Sequence, residues 1–372
     1  MYELREGDFD EFFLAPFVCY GSRSLYVSPL QSDLRRLLSR TDNPLFSEHG
    51  DFTFYTVRRS GRPIGRIVAH VHHSSNRRHG LQRSYFGFFD CADDQIAART
   101  LLAAAEEWGR RHGCTEIAGN FNLTAMQQLG VMTAGFEHFP YTDQLYNPGH
   151  IPRLLTACGY DPFFPMTTFE VDLTDFDPAK LIGPKQQQIL QARDLEWQRL
   201  GRRGFHELMA DALSVLNDGF INNPMFVPLT QEECFFQAKD MMWIIDRRLS
   251  VLVYDEGQPV GVVVCIPDLN PLLHAARSRM TWTTPLRYLT YRLTRRRAVI
   301  IFYAVNRSFQ DRGLNGAMLV RVTGALKQAG YTRLGMTWIG DTNLPSLRQA
   351  EKMGTRVLHR LHLFRKPLVE AS

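Results

Sequence analysis

One phrase occurs twice in this chain, half a length apart. Residues 52–71 read FTFYTVRRSGRPIGRIVAHV and residues 249–265 read LSVLVYDEGQPVGVVVC. Both are β-branched and aromatic runs interrupted by Gly-x-Pro-[Ile/Val]-Gly. Gly61, Pro63, Ile64 and Gly65 are answered by Gly257, Pro259, Val260 and Gly261, 196 residues further on. A tight hairpin needs a residue that tolerates positive φ, which glycine supplies, with extended runs on either side. Two such hairpins in a chain of 372 residues predict a duplicated α/β domain, because internal repetition constrains a fold more than any local propensity does.

The order of elements after each hairpin repeats as well. In the first half a strand at 85–89 leads to a helix at 94–112, where Ala97, Leu101, Ala105 and Trp108 form one apolar stripe. Gly113 stops that helix and a strand follows at 114–118. In the second half a strand at 298–305, a helix at 314–329 and a strand at 333–339 take the same order, and the tail closes as another strand. A helical stretch near 205–218 opens this half, and Thr230 with Glu233 reads as a capping box. A further strand is expected at 168–173, and the composition of 172–184 is that of a linker, so the domains are placed at 1–178 and 179–372. The segment 134–165, rich in glycine, proline and aromatics, reads as lining a pocket or as a docking segment.

With 44% apolar and 12% aromatic residues, the chain can bury two cores. Its six cysteines are widely spaced and form no Cys-x-x-Cys pair, which argues against a disulfide framework or a zinc site. No apolar run is long enough to span a bilayer, and the acidic start MYELREGDFDEFF lacks a signal-peptide core, so a cytoplasmic protein is expected. His70, His72, His73 and His79 lack a carboxylate or thiol at ligand spacing; they read as surface histidines, and no metal is expected. A net charge of +5 does not call for DNA. The positive charge is uneven, however: Arg287, Arg292, Arg295, Arg296 and Arg297 fall in one acid-free run, read as a solvated face or as a docking patch for an anionic partner.

The chemistry concentrates in 298–329. A buried strand ends at Asn306-Arg307, and the turn Gln310-Asp311-Arg312-Gly313-Leu314-Asn315-Gly316 runs straight into a helix. Unpaired amides at such a turn and the positive end of the helix together suit a phosphate, and Gly313 and Gly316 allow close approach to the backbone.

Gln310-x-x-Gly313-x-Asn315-Gly316-Ala317 resembles the acyl-CoA pyrophosphate loop of the GNAT acyltransferase superfamily, with Asn315 where Gly or Ala is usual. Asp341-Thr342-Asn343-x-x-Ser346 and Glu351-Lys352-Met353-Gly354 resemble its closing motif, with Ala350 in place of the Tyr that often serves as general acid and Thr355 in place of Phe. The chain also resembles a narrower group of tandem bacterial acyltransferases that includes the bacterial ceramide synthases, through Tyr26-Val27-x-Pro29-Leu30, Asn43–Phe46, Phe86–Asp90, Gly130–Phe136, Tyr146-Asn147-Pro148 and Val227–Thr230 with Glu233. The resemblance implies two tandem GNAT-like domains, each a mixed, mostly antiparallel sheet flanked by helices, with thioester chemistry in the second. Residues 120–128 depart from the group's usual Gly-Pro and Ser-x-Asn-x-Glu run, which implies a different acyl acceptor. The first domain lacks a glycine loop after Phe89 and is expected to bind no CoA.

The expected activity is transfer of an acyl group from a phosphopantetheine thioester, on coenzyme A or an acyl carrier protein, to the amine of a small molecule or lipid precursor, with no tightly bound cofactor. Candidate catalytic residues are Asp341, Tyr303 and Tyr146. The donor is expected on Ala304, Val305, Gln310, Arg312, Gly313, Asn315, Gly316, Ala317 and Asn343, with the thioester carbonyl polarised by a strand amide near Ala304–Val305. Asn120, Asn122, Asn147, Thr337 and Trp338 are candidate substrate contacts, and the arginine run suits an acidic carrier protein. An aminoacyl-tRNA-dependent amide-forming transferase and a non-catalytic binding protein remain open; the nearly intact loop counts against the latter.

Overall fold

The structure, a computed structural model, describes residues 1–46, 50–123, 128–201, 204–223, 225–238 and 244–368. In the first half, β1 (Tyr2–Glu6), α1 (Phe9–Tyr20) and α2 (Gln31–Leu37) precede the hairpin β2 (Gly50–Arg59) and β3 (Arg62–His72). Then come α3 (His73–His79), β4 (Arg83–Cys91), α4 (Gln95–Arg111), β5 (Glu116–Gly119), β6 (Val131–Ala134), α5 (His150–Ala157) and β7 (Asp161–Asp172). The second half contains α6 (Pro184–Gln191), β8 (Leu195–Arg199), α7 (Phe205–Gly219) and α8 (Gln231–Ala238), and then the hairpin β9 (Val251–Asp255) and β10 (Gln258–Pro267). It continues through α9 (Asn270–Ala275), α10 (Thr284–Thr294), β11 (Arg297–Val305), α11 (Leu314–Gln328), β12 (Arg333–Gly340), α12 (Leu344–Lys352) and β13 (Arg356–Pro367).

These elements form two compact units, neither continuous in sequence. One comprises Met1–Thr167, Asn270–Thr284 and His359–Ser372; the other comprises Thr168–Leu269 and Pro285–Leu358. In the first unit the strands are ordered β1-β2-β3-β4-β5-β13, with β6 also paired to β13. In the second they are ordered β8-β9-β10-β11-β12, with the end of β7 beside β12. The pairs β1–β2, β2–β3 and β3–β4 in the first unit and β8–β9, β9–β10 and β10–β11 in the second are antiparallel, whereas β4–β5 and β11–β12 are parallel.

Local chemistry explains the repeat. Both hairpins turn on two residues at positive φ, Ser60 and Gly61 in one and Glu256 and Gly257 in the other, the geometry whose twist matches that of the flanking strands. Asp94 caps α4 by accepting from the amides of Ile96 and Ala97. The capping box at α8 forms as expected: Glu233 accepts from Thr230 N–H, and Thr230 Oγ1 accepts from Glu233 N–H. Leu101, Leu102, Ala105 and Trp108 of α4 belong to the first core with Ile67 and Phe86, and Leu314, Met318, Val322 and Leu326 of α11 belong to the second with Val263 and Ile300.

Two expectations need correction. His70 and His72 are not on the surface. Both rings are buried, with Nε2 of each facing a carbonyl, Phe121 O for His70 and Leu123 O for His72. They alternate onto one face of β3, which the structure covers with residues 121–123. The stretch read as linker contains a helical turn at Pro178–Leu181 and leads into α6, whose Lys185 and Gln186 pack against the glycine loop described next.

Candidate active site in the β11–β12 wedge

In the second unit β11 and β12 pair from Arg297–Arg333 to Ile300–Met336 and then separate. In the first unit β4 and β5 pair from Arg83–Glu116 to Phe86–Gly119 and separate at the equivalent point. Each diverging strand carries a β-bulge, at Ile301 in β11 and at Phe88 (φ +47) in β4, as the register against β10 and β3 shows. Beyond the bulge, Asn306 N–H donates to Val260 O, just as Ala92 N–H donates to Ile64 O. Peptide groups alternate sides along an antiparallel edge, so the amides of Tyr303 and Val305, like that of Phe89, turn away from the neighbouring hairpin and into the wedge.

The two wedges then differ. In the first unit Asn120 Oδ1 accepts from Phe89 N–H at 3.0 Å, Asn122 Oδ1 accepts from Phe88 N–H at 2.6 Å, and Asn120 Nδ2 donates to Asn122 Oδ1 at 2.9 Å. The opening is sealed by its own β5 extension. In the second unit the equivalent positions are Thr337 and Ile339. Thr337 Oγ1 reaches only Ile301 O, at 3.4 Å, and isoleucine has no polar atom to offer. Tyr303 Oη on β11 and Asn306 Oδ1 just beyond it are buried without a hydrogen-bond partner among the described residues, and Asn306 Nδ2 donates to Pro259 O of β10 at 2.9 Å. Burial holds the Tyr303 phenol well above its usual range, so it stays protonated.

A second difference lies one residue along. Arg66 of β3 and Asp90 of β4 form a buried ion pair at 2.8 Å, and Arg66 also donates to Tyr26 Oη and Phe12 O, while Tyr20 Oη donates to Asp90. The equivalent cross-strand pair in the second unit is Val262 and Ala304. A fixed carboxylate at the mouth of the first wedge opposes a phosphate; the apolar pair does not.

The mouth of the second wedge is the glycine turn. Gln310 Nε2 donates to Val305 O at 3.4 Å, Arg312 lies 4.7 Å above the Phe309 ring, and Gly313 (φ +97) starts α11. The first intrahelical bond runs from Ala317 N–H to Gly313 O, so the amides of Leu314, Asn315 and Gly316 have no intrahelical partner. The first turn of α6 packs here. A Cβ on Gly313 would lie 2.7 Å from Lys185 Cβ, and one on Gly316 would lie 2.9 Å from Gln186 Cγ. Lys185 Nζ donates to Asp311 O at 2.8 Å. The glycines therefore admit a neighbouring segment of the chain, and Lys185 and Gln186 join the site unannounced by any motif.

Residues 220–355 match the Acetyltransferase (GNAT) family. The chain is 25% identical over 337 residues to "Bacterial ceramide synthase" of Caulobacter vibrioides (strain NA1000 / CB15N), covering 88% of this chain and 87% of that protein. It is 22% identical over 372 residues to "Protein YghO" of Escherichia coli (strain K12), covering 98% and 94%. Among solved structures it superposes on a tandem GNAT protein from the clavulanic acid biosynthesis pathway with a TM-score of 0.59, at 14% identity and over the full length of both chains. The chain resembles the tandem GNAT acyltransferases, with the family's domain matched over residues 220–355.

In the second GNAT domain Asn343 is the N-cap of α12, its Oδ1 accepting from Ser346 N–H at 3.3 Å, while Asp341 is half-buried just before it and Ala350 is buried within α12. Thr337 and Trp338 lie on the diverging part of β12. The arginine run divides: Arg295 pairs with Asp246 at 2.9 Å and Arg297 with Asp268 at 2.8 Å, whereas Arg287, Arg292 and Arg296 are exposed.

In the first, GNAT-like domain Asn120, Asn122, Tyr146 and Asn147 line one small pocket with Arg66, Asp90 and Gln128. Asn147 spends its amide on Met132 and Pro148, and Tyr146 Oη donates to Phe136 O at 3.2 Å. Of the divergent run 120–128, residues 124–127 lie outside the described residues. Asp143, at φ +68 between Tyr141 and Tyr146, is not among the residues lining this pocket. Its carboxyl keeps some exposure, yet the protein around it withdraws enough water to raise it to about 7. A lone aspartate in a polar turn carries no signal of this.

Proposed function

We propose that the second GNAT domain transfers an acyl group from a phosphopantetheine thioester, carried by coenzyme A or by an acyl carrier protein, to the amine of a small molecule or lipid precursor. The observation that carries this reading is the unsealed wedge: amides at Tyr303 and Val305 turn into it where the first domain sets asparagines, and two buried polar atoms on and just beyond β11, Tyr303 Oη and Asn306 Oδ1, lack a partner among the described residues. Buried polar atoms without partners are costly, and a bound donor would satisfy them.

In this reading the pantetheine extends the β11 edge, and the thioester oxygen accepts from the Tyr303 or Val305 amide near Ala304. The neutral amine attacks the thioester carbon, the negative charge collects on that oxygen, and a strand amide is placed to hold it. The C–S bond then breaks. The departing thiolate takes a proton from Tyr303 Oη, the new amide nitrogen gives up its proton to water or to Asp341, and a proton returned through solvent restores the Tyr303 phenol. Thr337 and Trp338 flank the acyl chain. The donor phosphates face the turn from Gln310 to Ala317, with Arg312 and Asn315 beside them. Lys185 Nζ is the cation placed to exchange Asp311 O for a phosphate oxygen. No covalent intermediate is needed. All six cysteines are free thiols, and burial raises each one's pKa, so none supplies a thiolate at neutral pH. A lipid amine is favoured as acceptor because the Caulobacter relative is named for making ceramide, an amide of a long-chain amino alcohol.

The test pairs calorimetry with product analysis. Acyl-CoA or acylated carrier protein should bind once per chain, and long-chain amines should yield an amide detectable by mass spectrometry. Tyr303→Phe should lower kcat by about 100-fold or more while donor KM stays the same. Two equivalent donor sites, or no amide from either donor, would overturn the reading.

A further inference from the structure

Helix α10, TPLRYLTYRLT, turns its apolar side outward. Leu286, Leu289 and Leu293 follow i, i+3, i+7 spacing and so share one face; they are 68%, 56% and 81% exposed. The helix is held from its other side, where Tyr291 Oη donates to Asp268 O. The residues leading into it continue the pattern in sequence, with Met280 64% and Trp282 92% exposed. Isolated exposed leucines need no explanation, but this spacing on an anchored helix does.

The charge around the helix is of one sign. No aspartate or glutamate occurs between Asp268 and Asp311. Arg295 and Arg297 are engaged by Asp246 and Asp268, but Arg287, Arg292 and Arg296 are exposed with no carboxylate partner among the described residues. Leucines on one helix face with arginine at the margins is the composition that lies in the plane of a bilayer surface, apolar side in the headgroup–acyl boundary and cations among the phosphates. Among the described residues no helix is long and apolar enough to cross a membrane, so the contact would be peripheral. An acidic carrier protein would answer the arginines but leave the leucines unmatched. A second copy docked face to face would set the arginines against their own images.

We propose that α10 docks the protein on a bilayer surface rich in anionic phospholipid, with Leu286, Leu289 and Leu293 inserted and Arg287, Arg292 and Arg296 contacting headgroup phosphates. This holds whichever acceptor the wedge uses.

The full chain is to be co-sedimented with vesicles of phosphatidylglycerol and phosphatidylcholine, and separately with vesicles of phosphatidylcholine alone, at low and physiological salt. Binding to the anionic vesicles should be tighter by on the order of tenfold or more, and should weaken with salt. The combined variant Leu286→Ser, Leu289→Ser, Leu293→Ser should bind at least about tenfold more weakly, with an unchanged circular dichroism spectrum and Tm. Arg287→Glu with Arg292→Glu should erase the preference for anionic lipid. Absence of vesicle binding, or equal binding by the leucine variant, overturns the proposal. If vesicles are ignored while light scattering shows a dimer that the leucine variant loses, the face belongs to a second copy. If vesicles are ignored while an acidic carrier protein forms a complex that the variant loses, it belongs to that partner.

Discussion

Two histidines tie stability to pH in a way that their side-chain type alone does not announce. His70 and His72 are buried beside each other on β3, with ring centroids 5.1 Å apart. Burial, reinforced for His70 by His72, lowers His70 well below its usual value of 6.5, and burial lowers His72 to about 4. Both are neutral in the folded protein at neutral pH. Unfolding returns them to about 6.5, so between that pH and about 4 the unfolded chain binds protons that the folded chain does not. Stability is therefore full above pH 6.5 and falls as pH drops through this window. His72 alone should cost roughly 2 kcal/mol by about pH 5. Urea unfolding from neutral to mildly acid pH should show the midpoint falling, and His72→Gln should flatten that fall. In the sequence these residues read as surface histidines because HVHH lacks ligand spacing. Nothing local disclosed that residues 121–123 would cover the strand.

At the scale of elements, the sequence announced the repeat and the glycine loop that only the second half carries, but not how the two wedges differ. Hairpin, strand, helix and strand were legible twice, since turn glycines and apolar periodicity are local signals. The glycine loop was legible as well. That one wedge is closed and the other open depends on Asn120 and Asn122 reaching across to the amides of β4, a long-range bond that alternation and propensity do not encode. Asn120→Ala and Asn122→Ala should each destabilise the protein by about 1–3 kcal/mol in urea, by orphaning the Phe89 and Phe88 amides. The loop glycines carry a parallel lesson. Gly313 read as room for a ligand, yet α6 occupies the space beside it. Gly313→Ala must displace Lys185 and strain a residue at φ +97, so a loss of about 1–3 kcal/mol should accompany a raised donor KM. Lys185→Ala should raise donor KM with Tm unchanged, which separates the phosphate role from packing.

At the scale of the whole molecule, the two units share one chain without dividing it cleanly. Residues 359–367 pair as β13 with β5 and β6 inside the first unit, Phe364 and Leu368 join the first core, and Lys366 Nζ meets Glu106 of α4 at 2.9 Å. A chain stopped after Leu358 should lose more than its last strand. The first unit should show weak amide protection in hydrogen exchange along β5 and β6, and the protein should become prone to aggregate through the bared edge of β5.

Synthesis runs from one end to the other, and this topology sets it a schedule. When Thr167 leaves the ribosome, everything up to β7 is available, yet the strand that flanks β5 is still about 190 residues away. At typical translation rates that gap lasts on the order of 10–40 s. For that interval the first unit is an unfinished sheet with the edge of β5 open, and the chain between must emerge before the edge can close. The nascent polypeptide therefore passes through a long period in which its earliest-made part depends on its latest-made part. A holding chaperone that binds exposed strand edges would be engaged during this period rather than after release.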